Sequence, residues 1–342
     1  MRILLVNHEF TITGASTILL RLADHLAASG HALAVLAFHK EDGPIRESYL
    51  ARGIPVLERA DVGGFDLVIC NTAFTASVVL EAAPLVKTIW WVHEAETALR
   101  FLFANLPMLR AFEAAAAVVY DMPFQRDAVF RTFTYMLEPW KFHVIPCGVD
   151  IDDVPRGLQT VLPKRRPLRI VSVGTIEPRK RQEDLIRAVH ALGNPEIECV
   201  ICGLYYHLPE DALRIVQEAP ERFLVISGLP GREPLAWLET ADIFCLASGS
   251  ETQAIAAYEA ALLAKPLVLS ELPAYAGIFS HGRNCLFFPA GDVAMLAHSL
   301  ALLAANAALR ERLGLAARET ARRFSPAAFC AEFDALLARL AP

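Results

Sequence analysis

Short apolar runs alternate with stretches of helical periodicity along the whole chain. This alternation is typical of a parallel β-sheet covered by helices, because parallel strands are buried on both faces and are joined by helical crossovers. Between the first two runs, one helical face carries Ile18, Leu19, Leu22 and Leu26, which predicts a helix that ends near Gly30. In the first half, the apolar runs predict strands at residues 3–6, 32–38, 54–57, 67–70, 88–92, 115–120 and 142–145.

The pattern restarts after residues 150–167, a segment rich in charge and proline that predicts a hinge. A strand at 168–173 copies the opening strand, and the next helix carries Leu185, Ile186 and Val189 on its apolar side. Further strands are predicted at 199–202, 223–227, 243–246 and 267–270, and residues 293–340 are predicted to be helical apart from a break at 324–326. We therefore predict Rossmann-like domains at 1–155 and 156–325, with a C-terminal helix at 326–342 that completes the first domain.

Composition supports two cores and excludes several classes of protein. With 342 residues, 54% hydrophobic and 20% charged, the chain can bury two cores and is far from a disordered composition. The net charge of −6 lacks the basic surplus that is usual in nucleic-acid-binding proteins. No G-x-G-x-x-G motif follows the strand at 3–6 or at 168–173, which argues against an NAD enzyme.

The sequence also favours a cytoplasmic, reduced protein. The apolar run at the start is too short for a signal peptide, and no later run is long enough for a transmembrane helix. Cys199 and Cys202 lie in an apolar strand pattern with no second cysteine pair or nearby histidine, so packed thiols are expected rather than a zinc site.

The stretch from Ala247 to Pro266 holds the most informative chemistry. Ser250 and Gln253 have capping-box spacing, so a helix is predicted to start at Ser250, directly after the strand at 243–246. Such a helix start suits a phosphate, because its first amides are unpaired. Glu251 and Glu259 would then lie roughly 12 Å apart along the helix, which suits two contacts on one long ligand better than an acid/base pair. Two solvated glutamates remain the alternative interpretation.

These residues resemble a known family. Glu251 and Glu259, with seven residues between them, resemble the E-x7-E motif of retaining GT-B glycosyltransferases of family 4. Other segments fall in the order and spacing of that family: the hinge at 145–150, the loop at 174–180, Ala241-Asp242-Ile243-Phe244, and residues 282–292. The resemblance covers nearly the whole chain and is strongest in the second half. It implies an α/β GT-B fold, with two Rossmann-like domains facing each other across a cleft.

The resemblance implies roles for individual residues. Lys180 would pair with the diphosphate of a nucleotide sugar, Glu259 would accept hydrogen bonds from the ribose, and Glu251 would bind hydroxyls of the donor sugar. The family arginine that follows the loop glycine is replaced by Thr175, so we hypothesise that Arg179 or Arg181 contacts the phosphates instead. The implied donor-binding residues are Gly14, Ala15, Gly174, Thr175, Arg179, Lys180, Gly228, Thr252, Gln253, Ala254, Ile255 and Glu259.

His93, Lys180 and Glu251 are the implied catalytic residues. His93 follows a strand in the first half, where the family often places a histidine near the transferred sugar; a structural histidine is the alternative. Gly14 and Ala15 replace the usual double glycine of the family, and Gly14 could equally be a simple turn former. A solvated residue in a basic run is the alternative for Lys180.

The implied reaction is transfer of a hexosyl group, with retention of anomeric configuration, from a nucleotide-diphosphate sugar to a hydroxyl acceptor. No metal and no other cofactor is expected, since Asp150-Ile151-Asp152 resembles a metal-binding D-x-D but lies in the hinge. A glycan or glycolipid of surface polysaccharide or lipopolysaccharide biosynthesis is the expected acceptor. Residues 99–112 mix arginines with large apolar side chains, so they could contact a membrane peripherally, although an ordinary half-buried helix is the alternative. Two alternative functions remain: a GT-B epimerase or phosphorylase, and a non-catalytic nucleotide-sugar-binding protein.

Overall fold

The computed structural model describes residues 1–40, 42–152, 164–229 and 233–340. The chain divides into two compact units, the first formed by Met1–Gly148 with the segment that begins at Pro326, and the second by Val149–Ser325. The domain boundary predicted at 155/156 lies outside the described residues.

The first unit is built on a six-stranded parallel sheet in the order β2-β1-β3-β4-β5-β6. Its strands are β1 (Arg2–Glu9), β2 (Ala32–Lys40), β3 (Leu67–Asn71), β4 (Thr88–Val92), β5 (Ala117–Tyr120) and β6 (Phe142–Val144). Its helices up to residue 148 are α1 (Gly14–Ala28), α2 (Pro44–Ala51), α3 (Ala76–Ala82), α4 (Glu96–Ala104), α5 (Ala111–Ala114) and α6 (Arg131–Thr134). The apolar face predicted for α1 is confirmed, because Ile18, Leu19, Leu22 and Leu26 are all buried.

The strand predicted at 54–57 is wrong. Only an isolated bridge between Val56 and Val35 forms there, beside the edge strand β2. Val35 donates its N–H to Pro55 O at 2.9 Å, and Leu57 donates to Val35 O at 2.8 Å. Pro55 has no N–H of its own, so a regular ladder cannot extend through it.

The second unit has a six-stranded parallel sheet in the order β12-β11-β10-β7-β8-β9. Its strands are β7 (Leu168–Val173), β8 (Ile197–Cys202), β9 (Phe223–Ile226), β10 (Ile243–Leu246), β11 (Leu267–Ser270) and β12 (Leu286–Phe288). Counted within the unit, this is the strand order of the Rossmann fold, with its switch point between β7 and β10, where ligands of such sheets bind. The helices of this unit are α7 (Gln182–Leu192), α8 (Glu210–Glu218), α9 (Glu233–Glu239), α10 (Ile255–Leu262), α11 (Val293–Ala305) and α12 (Ala307–Ala321).

The helical C-terminal region has one more break than the sequence predicts. Asn306 ends α11 and caps α12, because its side chain accepts a hydrogen bond from Leu309 N at 2.9 Å. The last helix, α13 (Pro326–Leu340), belongs to the first unit. There the rings of Phe329 and Phe333 lie 5.7 and 4.8 Å from that of Trp91 on β4.

Cys199 and Cys202 are free and buried on β8, as predicted. Burial raises the pKa of both thiols, that of Cys202 to about 12, so they are packed thiols rather than thiolate ligands. Among the described residues, no single helix has the length and apolar character needed to cross a membrane. One pair, Val293–Ala305 with Ala307–Leu340, meets that test by length and composition only, and it bends by 106° at its break.

Candidate functional site

The loop after β10 differs from the sequence prediction. Helix α10 begins at Ile255 with Ala254 as its N-cap residue, so the helix start predicted at Ser250 is wrong. Gly249 donates its N–H to Arg179 O at 2.8 Å, and Ser250 O accepts from Arg179 Nη1 at 3.0 Å. These contacts with a loop far away in sequence hold the backbone at 249–250 outside the helix. Thr252, Gln253 and Ala254 therefore lie in the loop, and the predicted helical spacing between Glu251 and Glu259 does not apply.

Glu251 is the centre of a buried polar cluster at the switch point. Its Oε1 accepts hydrogen bonds from Lys180 Nζ and from Ser248 Oγ, both at 2.6 Å. Arg179 Nη1 lies 3.5 Å from its Oε2. The side chain of Glu251 is 6% exposed and that of Lys180 is 13% exposed, so neither is a solvated surface residue.

The charge state of Glu251 follows from these neighbours. Burial alone would raise its pKa, but the charges of Lys180 and Arg179 and the hydrogen bonds from Lys180 and Ser248 outweigh burial and lower the pKa. Glu251 is therefore a carboxylate at neutral pH. Lys180 and Arg179 both face this one carboxylate, and their N–H groups are the donors that can attract an anionic ligand.

The two candidate arginines have different surroundings. Arg179 lies in the cluster and also pairs with Glu177, at 2.7 Å between Nη2 and Oε1. Arg181 instead pairs with Asp184, at 2.7 Å between Nε and Oδ2. Its guanidinium also lies against Gly291, where an added Cβ would be 2.9 Å from Arg181 Nη2. Only Arg179 is thus positioned beside Lys180 and Glu251.

The loop after β7 requires glycine at Gly174. Its φ of +152° is a conformation that residues with a side chain rarely adopt, and the side chain of Lys180 lies in ordinary contact with it. The next residue, Thr175, is half-buried, and its carbonyl accepts from Gln182 Nε2 at 2.8 Å. Gly228 follows β9 with a φ of +75°. Of the other predicted donor-binding residues, Ile255 and Glu259 are half-buried on α10.

His93 lies in a separate network in the first unit, at the carboxyl end of β4. Its Nδ1 is 2.9 Å from Asp121 Oδ2, and its Nε2 is 2.7 Å from Asn71 Oδ1. The Nδ2 group of Asn71 donates to Ala15 O at 3.1 Å and to Asn7 Oδ1 at 3.2 Å, which fixes the orientation of the amide. Both ring nitrogens of His93 therefore face acceptors, and this arrangement suits an imidazolium.

The electrostatics of His93 agree with this geometry. Burial lowers its pKa, but the charge and hydrogen bond of Asp121, together with the charge of Glu94, outweigh burial and raise the pKa. Asp121 also accepts hydrogen bonds from Trp91 Nε1 at 2.9 Å and from Cys147 Sγ at 3.4 Å, both at Oδ1. These contacts fix the orientation of the Asp121 side chain.

The end of β3 carries backbone strain beside this network. Thr72 has a φ of +79° and a ψ of 159°, a conformation that is costly for a β-branched residue. It is held there by Trp90, whose Nε1 donates to Thr72 O at 2.9 Å. The carboxylate of Glu94 accepts from Ala73 N at 2.8 Å, and burial raises the pKa of Glu94. Strain of this kind is common at functional sites.

The predicted residues Gly14 and Ala15 belong to the first turn of α1. Thr13 caps this helix by accepting from Ser16 N, and Ala15 O contacts Asn71. An added Cβ at Gly14 would meet no atom within 4 Å, so the local packing does not require glycine there.

The sequence prediction did not include Asn71, Asp121 or Ser248. Each of them is among the first polar residues after the apolar run of a strand. A polar residue at that position is the sequence signal that could have identified them. Among the described residues, one group has residue types that could bind a metal ion: His93, Asp121 and Cys147. Their ligand atoms lie within 4.8 Å of one another. In the structure these atoms hydrogen-bond to one another.

Comparisons with known proteins agree with this fold. The family models "Glycosyl-transferase family 4" and "Glycosyl transferases group 1" match residues 1–110 and 159–320. The phosphatidyl-myo-inositol mannosyltransferase of Mycobacterium leprae is 29% identical over 185 residues, which are 53% of this chain and 49% of that protein. The chain thus spans about half the length of the curated relatives it matches.

Solved structures match over nearly the whole chain. Alr3699/HepE of Anabaena, in complex with UDP, has a TM-score of 0.83 at 18% identity, covering 99% of this chain and all 100% of that one. The same protein has been solved with UDP-glucose. WaaG, a glycosyltransferase involved in lipopolysaccharide biosynthesis, has a TM-score of 0.74 at 16% identity, covering 97% of this chain and 98% of that one.

The resemblance inferred from the sequence motifs is therefore confirmed at the level of fold and family. The two matched segments fall one in each unit, and each unit has the parallel sheet that this fold requires. The chain belongs to glycosyltransferase family 4 and has the two-domain GT-B fold.

Proposed function

We propose that the protein is a retaining glycosyltransferase that moves a hexosyl group from a nucleotide-diphosphate sugar to a hydroxyl acceptor. The observation that carries this proposal is the buried cluster of Lys180, Arg179 and Glu251 at the switch point of the second sheet. Cleavage of the sugar–phosphate bond leaves negative charge on the departing diphosphate, so preorganised cations are the main catalytic requirement.

Lys180 and Arg179 supply that positive charge in the proposed mechanism. Because both are already held by Glu251 and the loop backbone, little reorganisation is needed when charge develops. These two side chains can fill the electrostatic role of a metal ion, and we propose that transfer is metal-independent. The acceptor hydroxyl then attacks on the face that the diphosphate leaves, which gives retention.

Glu251 and Glu259 would have separate tasks. Glu251 is ionised, and a carboxylate has more acceptor sites than the bonds from Lys180 and Ser248 occupy, so it can accept from sugar hydroxyls. Glu259 on α10 would accept from the ribose. The loop amides at Thr252, Gln253 and Ala254, with Gly174, Thr175, Gly228 and Ile255, would complete the donor site.

A glycan or a lipid-linked glycan is the proposed acceptor. The names of two similar proteins, a phosphatidyl-myo-inositol mannosyltransferase and a glycosyltransferase of lipopolysaccharide biosynthesis, support this class of acceptor. We propose surface polysaccharide or lipopolysaccharide biosynthesis as the process.

A peripheral membrane contact would fit such an acceptor. The first unit exposes large side chains from neighbouring segments, and the rings of Phe103 and Phe133 in two of these segments are 5.5 Å apart. The exposed large side chains are Phe103, Leu106, Tyr135, Met136 and Trp140. Aromatic and long apolar side chains of this kind favour the membrane interface. Sedimentation with vesicles tests this contact, and a protein that stays in the supernatant would exclude it.

Donor binding and turnover test the proposed function. A thermal-shift panel of UDP, GDP, ADP, TDP and CMP sugars should give one nucleotide class that raises the unfolding midpoint, because a ligand of the native state stabilises it. With that donor labelled in the sugar, the label should move to the acceptor with the anomeric configuration kept. Release of an isomerised nucleotide sugar would instead identify an epimerase. Binding of the donor without turnover on any acceptor would identify a non-catalytic protein.

Replacing Arg179 by alanine should weaken binding of the nucleoside diphosphate about 10-fold, because a charged hydrogen-bond donor to phosphate is lost. Arg181→Ala is the matched control, and less than about a 2-fold change is expected because the guanidinium of Arg181 is paired with Asp184 and not with Glu251. Isothermal titration of both variants gives the comparison. A larger effect for Arg181 than for Arg179 would show that the wrong arginine has been assigned.

A further inference from the structure

A run of exposed residues directly follows the buried strand β8. All six residues of β8 are buried, whereas Leu204, Tyr205 and Tyr206 are 47%, 40% and 65% exposed, and His207 is exposed too. Surface loops are usually polar, and exposed aromatic residues at the carboxyl end of a parallel strand lie where ligands of such sheets bind. This aromatic loop has no part in the cluster around Glu251.

Backbone contacts fix the aromatic loop against the loop after β7. Ile176 N donates to Leu204 O at 2.8 Å, and Tyr206 N donates to Ile176 O at 3.0 Å. Gly203 packs so closely on Gly174 that an added Cβ would overlap the carbonyl oxygen of Gly174. The tyrosines are therefore attached to the same rigid edge that carries Gly174, the neighbour of Lys180.

The aromatic loop is also tied to the end of β9. Tyr205 N donates to Ser227 Oγ at 3.0 Å, and Ser227 directly precedes Gly228. The loops after β7, β8 and β9 thus form one continuous edge, with the charged cluster at one end and the two tyrosines further along.

The strand order indicates what this part of the edge binds. In nucleotide-binding sheets with the Rossmann order, the phosphates lie at the switch point and the nucleoside extends towards the carboxyl end of the second strand. In this unit the switch point is between β7 and β10, and the second strand is β8. A ligand whose diphosphate contacts Lys180 would therefore bring its nucleoside towards Tyr205 and Tyr206.

We propose that Tyr205 and Tyr206 form a stacking surface for the nucleobase of the donor, an inference that rests on the proposed function. Every nucleobase has a π-face, so stacking on tyrosine adds affinity for the nucleoside without selecting one base. A tyrosine ring also tolerates exposure in the free protein, because its hydroxyl keeps contact with water. The two tyrosines add a contact for the base to the donor site, and this contact is separate from the charged cluster.

Binding of UDP and of inorganic pyrophosphate to the same variants tests the proposal. The double variant Tyr205→Ala/Tyr206→Ala should bind UDP roughly 10-fold or more weakly, as expected for loss of base stacking. Pyrophosphate has no base, so its affinity should not change. Tyr205→Phe/Tyr206→Phe keeps the rings and should bind UDP like the native protein. Phe38→Ala removes an exposed aromatic ring of the first unit and is the matched control.

The outcomes separate this inference from the proposed function. Native protein that binds no nucleoside diphosphate would refute the function, whereas native UDP affinity in the double alanine variant would overturn the stacking surface alone. Equal losses of UDP and pyrophosphate binding would also overturn it, because the tyrosines would then act at the phosphates. If the alanine variant does not fold, the uracil H5 and H6 resonances of UDP decide the matter. Stacking shifts them upfield on binding to the native protein, and unshifted resonances contradict it.

Discussion

Replacing Lys180 by alanine is expected to lower kcat/KM for the nucleotide-sugar donor at least about 100-fold, the usual cost of removing one preorganised group that stabilises transition-state charge. Lys180 Nζ is fixed at 2.6 Å from Glu251 in a site that excludes most water. Removal of the ammonium leaves Arg179 as the remaining cation of the cluster and exposes the departing diphosphate to the charge of Glu251.

The same substitution should destabilise the fold. Breaking a buried ion pair on one side leaves an uncompensated charge and costs about 3 kcal/mol or more of unfolding free energy. The double variant Lys180→Met/Glu251→Gln removes both charges and keeps similar side-chain volume, so it should recover most of that stability. It should stay inactive, because the cation is still missing. Recovery of activity along with stability would mean that Lys180 acts only through the fold.

The pH dependence of stability provides a second readout. In the native protein the pKa of Glu251 is lowered, so its contribution is present above its unfolded pKa and is lost as the pH falls through the folded pKa. In Lys180→Ala, the charge and the hydrogen bond of Lys180 are lost and burial of Glu251 is opposed only by Arg179 and Ser248. The variant should therefore lose less stability than the native protein as the pH is lowered from 7 towards 4. Urea unfolding at several pH values measures both curves, and parallel curves would contradict this account.

Much of the scaffold was predictable from the sequence because it depends on local patterns. Apolar runs such as 88–92, 168–173 and 243–246 match the strands β4, β7 and β10 residue for residue. The order and spacing of several motifs, Glu251 and Glu259 among them, indicate the family from the sequence alone. These signals succeed because burial on both faces of a parallel strand produces an uninterrupted apolar run.

The details of the site were less predictable because they depend on contacts between distant residues. Ser250 and Gln253 have the spacing of a capping box, yet Arg179 binds the carbonyl of Ser250 and keeps it out of the helix. Likewise, nothing near Asp121 in the sequence indicates His93, because the two meet only when β4 and β5 pair. Local patterns locate elements, whereas the pairing of elements decides which side chains meet.

That pairing makes Asp121 a positioning residue for His93, and Asp121→Asn is expected to lower kcat about 100-fold at neutral pH if the imidazolium contributes to transfer. The carboxylate is what raises the pKa of His93 above its ordinary value, against the effect of burial. With asparagine there, burial dominates and His93 becomes neutral. The basic limb of the kcat profile should therefore move to lower pH, a change that a purely structural role for Asp121 would not produce.

The effect of Asp121→Asn on the free energy of unfolding should depend on pH, with the sign that the raised pKa of His93 sets. The His93–Asp121 pair contributes fully below the unfolded histidine pKa of about 6.5, and its contribution is lost as the pH rises through the folded pKa. Asp121→Asn removes this contribution, and the amide cannot accept from both Trp91 and His93 as the carboxylate does, so a loss of about 3 kcal/mol is expected at pH 6. The deficit should shrink at higher pH.

Asp127→Asn is the matched control for this prediction. Asp127 pairs with Arg126 on the surface of the same unit, where an ion pair contributes little. Its kcat profile and unfolding free energy should stay close to native. If Asp121→Asn kept the native kcat and the native basic limb, His93 would not act as an imidazolium, and its network with Asn71 and Asp121 would serve only to hold the ends of β3, β4 and β5 together.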